Sequence, residues 1–121
     1  LLLEARFDET VLTAQVMNPQ DANPAGNVHG GVIMKLIDTA AGAAAVKHSR
    51  ANCVTASIDR VDFRARIPVG ALVTCIATVD YVGNSSMDIT IEVTAELTVE
   101  GRNSMPTTAG PSPVIVCMNS A

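Results

Sequence analysis

Between Gly30 and about Lys47 the chain has almost no polar face, since Val32, Ile33, Met34, Leu36, Ile37, Ala40, Ala41, Ala43, Ala44, Ala45 and Val46 fill nearly every position. Gly30-Gly31 opens the stretch, and Lys47, His48 and Arg50 close it with cations, which suit the negative end of a helix dipole. A helix apolar on nearly every side is expected to be surrounded by protein. A chain of 121 residues folds as one domain, 1–121, with one core. This helix is therefore expected at its centre.

The elements that wrap it are read from the period-two patterns. Over Ser85–Glu100, Met87, Ile89, Ile91, Val93, Ala95, Leu97 and Val99 alternate without a break with Asp88, Thr90, Glu92, Thr94, Glu96, Thr98 and Glu100. That is a long strand with one wet face. Gly83-Asn84 joins it as a hairpin to Ala71–Val82, which places Val73, Cys75, Ala77, Val79 and Tyr81 on one face. Cys53–Phe63 is rich in β-formers, Pro68-Val69-Gly70 makes a turn, and Leu1–Val16 reads as a first strand. Met17–Val28 is dense in Asn, Pro, Asp and Gly and reads as an ordered loop. Pro106, Pro111 and Pro113 cannot donate to a ladder, so a last strand begins only near Val114 and is expected to be irregular, either short or displaced. The order implies an α+β domain whose antiparallel sheet buries one face against the helix. One helix cannot cover both that sheet and its own far side, so a second subunit is expected to complete the burial.

Composition narrows the function classes. Net charge is −4 and Arg60, Arg64 and Arg66 form the one dense basic cluster, which argues against a nucleic-acid partner. Cys53, Cys75 and Cys117 show neither a CxxC pair nor a metal spacing, so they read as small buried hydrophobes in a reduced, cytoplasmic setting, with no metal site. A targeting segment upstream of Leu1 stays open. Lys35 and Asp38 inside the apolar run argue against membrane insertion.

Asp38 is the chemical outlier. Burying an unpaired carboxylate costs several kcal/mol or raises its pKa, so an acid in the middle of an apolar helix is a candidate site residue. The plainer reading is an acid on a narrow polar strip, capping backbone or pairing with a base. Gly30 and Gly31 keep side chains away from the free N–H groups of the first turn, where a carbonyl oxygen gaining negative charge could be held. Asp38 stands about 10–12 Å further along the axis at 1.5 Å per residue. That is too far for both to serve one carbonyl within one chain; in a symmetric dimer the carboxylate of one chain can meet the helix start of the other. Asn23, in Asp21-Ala22-Asn23-Pro24, suits an Asx-turn or an amide that positions water or a carbonyl. His29 suits a structural hydrogen bond better than general-base work.

The stretch from Asp21 through His29-Gly30-Gly31 to Asp38 resembles the signature of the hot-dog acyl-CoA thioesterases, the branch of bacterial broad-range acyl-CoA hydrolases and animal cytosolic and brain-type enzymes. Cys53-Val54-Thr55-Ala56-Ser57, Val61-Asp62-Phe63 and Val82-Gly83-Asn84-Ser85-Ser86-Met87 agree with it in order and spacing. The resemblance implies a hot-dog fold, about five antiparallel strands wrapped around one long helix, and hydrolysis of acyl-CoA to fatty acid and CoA. CoA is then part of the substrate and no separate cofactor is needed. It implies a homodimer at least, or a tetramer or hexamer built from dimers, in which Asn23 and Asp38 of different subunits share a site. Asp38 would be general base or nucleophile, Asn23 would orient water or carbonyl, and the backbone at Gly30 or Gly31 would receive the carbonyl oxygen. Thr55 matches a polar position of the family near the site. Arg64, Arg66 and the turn Gly83, Asn84, Ser85 and Ser86 would contact CoA. The tail departs from the family by lacking an aromatic in the last strand. The alternatives are an acyl-CoA-binding module without turnover, against which Asp38 argues, and a hot-dog enoyl-CoA hydratase. The hydratase motif wants His two residues after Pro24, where this chain has Gly26.

Overall fold

The computed structural model describes residues 10–59, 61, 66–97 and 114–120. Strand β1 (Thr10–Val16) leads through a loop, with one 3-10 turn at Pro19–Asp21, into helix α1 (Gly30–Ser49). Strands β2 (Cys53–Ile58), β3 (Leu72–Val82), β4 (Ser86–Glu96) and β5 (Val114–Ser120) follow. The strands form one five-stranded sheet in the order β1-β3-β4-β5-β2, with every neighbouring pair antiparallel. α1 lies across a single face of it and touches all five strands.

The helix packs as an amphipathic element. Ile33, Ile37, Ala40, Ala41, Ala44 and Ala45 are buried, at the spacings that bring residues onto one helical face. Opposite them the sheet buries Val73, Cys75 and Ala77 of β3, Met87, Ile89, Ile91, Val93 and Ala95 of β4, and Val114, Val116 and Met118 of β5. The far side of α1 carries exposed Lys35, Asp38, Thr39, Ala43 and Val46. The expectation of a helix enclosed on all sides is therefore not met within one chain. Alanine and valine on the far side are apolar by composition, yet among the described residues no element reaches them.

β4 follows the alternation up to Ala95, and Leu97, just past its end, is exposed. β3 departs from it near its end: the register with β4 shifts between Val79 and Tyr81, and Tyr81 is turned out, 61% exposed, instead of joining Val73, Cys75 and Ala77. A bulge inserts one residue and so exchanges the two faces beyond it. β5 also departs from expectation. It starts at Val114, as the prolines require, but it is a regular strand paired on both sides, to β4 and β2. Its alternating burial, with Val114, Val116 and Met118 inside, gives it a place in the interior of the sheet that proline content alone could not indicate.

Ile89 is fully buried beneath α1. Ile89→Ala should lower unfolding free energy by about 2–5 kcal/mol. Ile115→Ala, on the outer face, should cost about 0.5 kcal/mol. Urea denaturation midpoints of the two variants check the difference.

Candidate active site

Thr55 lies on β2, opposite Met118 of β5 in register. Its side chain points to the helix side of the sheet. There the Thr55 hydroxyl donates a hydrogen bond to Oδ1 of Asp38 and lies 3.5 Å from the Met118 sulfur. Two residues distant in sequence are thus joined because β2, the edge strand, runs beside the open flank of α1. Asp38 itself is exposed, which corrects the expectation of a buried acid. The reason is rotational: one helical residue is a step of about 100°, so Asp38 turns away from the sheet that Ile37 faces. Thr55 thus engages one oxygen of an exposed carboxylate.

The helix start forms a second group. The His29 carbonyl accepts from the N–H of Val32 at 3.0 Å and of Ile33 at 3.4 Å, and no side chain caps the end. The N–H groups of Gly30 and Gly31 belong to the first turn, which has no intrahelical acceptors. A Cβ placed on Gly31 would meet no atom within 4 Å. Among the described residues nothing crowds that position. His29 is exposed; its backbone N–H donates to the Asp21 carbonyl at 2.9 Å, and its side chain makes no cap bond at the helix start.

Asn23 belongs to this end. Its side-chain oxygen accepts from the N–H of Ala25 at 3.0 Å and of Asn27 at 3.1 Å, while its own N–H donates to the Asn27 carbonyl at 2.7 Å. The loop closes on Gly26 at φ +85, the left-handed region that favours glycine. Both sequence readings therefore meet in one side chain: the oxygen builds the Asx-turn, and the amide NH2 is what it can offer to a ligand.

The proposed CoA contacts separate. Arg66 is exposed beside Ile67, whose carbonyl accepts the Val28 N–H at 2.8 Å just before the helix. Arg64 lies outside the described residues. The turn Gly83–Ser86, closed by the Gly83 N–H on the Ser86 carbonyl at 2.7 Å, lies at the other end of α1. There it shares a cavity of about 220 Å³ with His48, Ser49, Cys53 and Met118. A 20-residue helix spans about 30 Å, so Arg66 and this turn of one chain cannot hold the same small molecule. Cys53 and Ser49, which line this cavity, are not among the candidates read from the sequence, although Cys53 has period-two spacing from Thr55. Elsewhere, burial pushes the Cys75 thiol up, a shift that a hydrogen bond with the Thr13 side chain opposes. Among the described residues no His, Cys, Asp or Glu cluster could hold a metal ion, and no helix is long and apolar enough to cross a membrane.

Asn23→Ala removes an acceptor from two backbone N–H groups and should cost about 1–3 kcal/mol. Asn23→Asp keeps the acceptor and should cost much less. Denaturation of the two variants separates the oxygen's structural task from whatever the NH2 group does.

Residues 25–101 match the family model of the thioesterase superfamily. The human cytosolic acyl coenzyme A thioester hydrolase is 39% identical over 85 residues, which is 70% of this chain but 22% of that protein. A hexameric hotdog fold thioesterase of Campylobacter jejuni superimposes with a TM-score of 0.81 at 33% identity, covering 90% of this chain and 80% of that one. The acyl-CoA hydrolase of Staphylococcus aureus, solved with butyryl coenzyme A, coenzyme A and coenzyme A disulfide, gives a TM-score of 0.79 at 28% identity over 95% of this chain and 67% of that one. Variants of it with one Asp, one Thr or one Asn replaced by Ala have similar structures.

Proposed function

The chain belongs to the thioesterase superfamily and has the hot-dog fold, and from that membership we propose that it hydrolyses acyl-CoA thioesters at a site shared by two copies of the chain. The observation that carries the proposal is the Thr55 hydroxyl held on the Asp38 carboxylate, on the face of α1 that its own sheet leaves open. The matched segment is only 22% of the human relative, so the activity is argued from these residues. In the Staphylococcus aureus hydrolase the replaced Asn, Asp and Thr stand at the same separations along the chain as Asn23, Asp38 and Thr55 do here, which supports treating the three as one site. The coenzyme A species bound to that protein support CoA as the carrier.

In the reaction a water attacks the thioester carbonyl, the carbonyl oxygen becomes an oxyanion, and the C–S bond breaks to release CoA and the fatty acid. Asp38 takes the proton of the water as general base, or attacks as nucleophile and is freed by water in a second step. Thr55 fixes one carboxylate oxygen so that the other addresses the reacting carbon. The oxyanion is received by the Gly31 N–H, with Gly30 behind it, at the positive end of a helix dipole. Within one chain Gly31 is about 10 Å along the axis from Asp38, so the receiving helix end is that of the second copy. Asn23 of that copy turns its NH2 toward the water or the carbonyl. With the helix start of one chain at Asp38 of the other, the Arg66 end of the first lies about 17 Å along α1 from the Gly83–Ser86 end of the second, a span that one extended CoA can bridge. Arginine suits its phosphates. A homodimer is the smallest unit with this site. The human relative's name places that protein in the cytosol, and the same setting is proposed here.

Purified protein should release free thiol from acyl-CoA in a dye assay, and Asp38→Asn should lower kcat/KM by about 10²–10⁴-fold with its fold retained. Undiminished turnover would remove Asp38 from the mechanism. Mixed protomers of Asn23→Ala and Asp38→Asn should regain activity once they exchange. No recovery despite proven exchange would exclude a shared site.

A further inference from the structure

Cys53 is the half-buried thiol at the start of β2, one strand period before Thr55 and on the same, helix-facing side. Its sulfur lies 3.3 Å from the Ser49 hydroxyl at the end of α1 and 3.6 Å from the Ala51 carbonyl. It lines the cavity of about 220 Å³ whose opposite wall is the Gly83–Ser86 turn. Met118 also lines that cavity, and its sulfur touches the Thr55 hydroxyl. Cys53 thus stands between Thr55, two residues further along β2, and the turn that shares the cavity with it. The other two cysteines are placed differently: Cys75 is enclosed in the core, and Cys117 shares the outer face of the sheet with Ile115.

Resting on the thioesterase reading, we propose that this cavity receives the sulfur end of CoA and that Cys53 couples to it by thiol–disulfide exchange, so that a CoA disulfide closes the site. The geometry supplies the reason. A thioesterase releases a thiol at every turnover, and here the arm carrying that thiol would lie along a wall that presents another. In the exchange the Cys53 thiolate attacks one sulfur of the CoA disulfide and the S–S bond breaks. One CoA leaves as thiolate and takes up a proton, while the other stays joined to Cys53 through the new S–S bond. One disulfide is consumed and one is formed, so no further oxidant is required. Excess CoA thiol reverses the step. The attached CoA fills the channel that a new acyl-CoA must enter, and hydrolysis stops without any change at Asp38.

The test uses the full chain in its native assembly. CoA disulfide should add one CoA per chain at Cys53, read by intact mass and peptide mapping, with hydrolysis lost in proportion and regained with dithiothreitol. Binding before exchange raises the local concentration, so CoA disulfide should react about tenfold or more faster than glutathione disulfide. Desulfo-CoA should slow the reaction by occupying the cavity, and Cys53→Ser should take no adduct. Equal rates with both disulfides, an adduct on Cys117 instead, or full turnover with Cys53 modified would each overturn the inference while leaving the thioesterase reading standing. A protein that hydrolyses no acyl-CoA would instead sink that reading first.

Discussion

The structure depends on how closely α1 can approach the sheet. Ala40, Ala41, Ala44 and Ala45 meet it with single methyl groups, so the helix backbone sits low over β3, β4 and β5 and every strand touches it. Ile33 and Ile37 are buried nearer the helix start. Because one face is used so completely, the opposite face is left to solvent within the chain. β2, at the sheet edge, is then the strand whose Thr55 reaches that flank and binds Asp38. Site and core are two consequences of one packing decision.

The same helix sets a ruler for the chemistry. Its start carries Gly31 and the Asn23 loop, its middle carries Asp38, and its end faces Cys53 and the Gly83–Ser86 turn. These stations are fixed along about 30 Å of rigid backbone, and no side-chain rotation can gather them within one chain. An antiparallel partner superposes the start of one ruler on the middle of the other. If these stations serve one reaction, as proposed, the helix length alone requires a second copy.

Much of this was legible from local pattern. The alternation through Met87, Ile89, Ile91, Val93 and Ala95 named a strand and its buried face, and Asp38 stood out by chemical type alone. What failed was information that is not local. Composition showed that α1 is apolar all round, but only the topology shows which side the sheet takes, and so Asp38 was expected inside and is found outside. The bulge beyond Val79 that turns Tyr81 outward leaves no mark in period-two counting until β4 is laid beside β3. Prolines correctly delayed β5 to Val114, yet its interior place between β4 and β2 follows from the long-range strand order. The Asp38–Thr55 bond belongs to the same class: each residue was a candidate, and their contact is a product of the fold.

The exposure of Asp38 in the single chain is what a shared site requires. A carboxylate sealed inside its own protomer would have to be desolvated during folding, at a cost of several kcal/mol. Held at the surface by Thr55, it folds with its hydration intact and leaves the core free of charge. Desolvation is then deferred to assembly, when the helix start of the second copy would arrive with unpaired N–H groups and the positive end of its dipole. Attraction between the two strengthens as water is excluded, so the groups that need each other for chemistry also favour the contact that brings them together. On the proposed reading assembly and catalysis are coupled through Asp38.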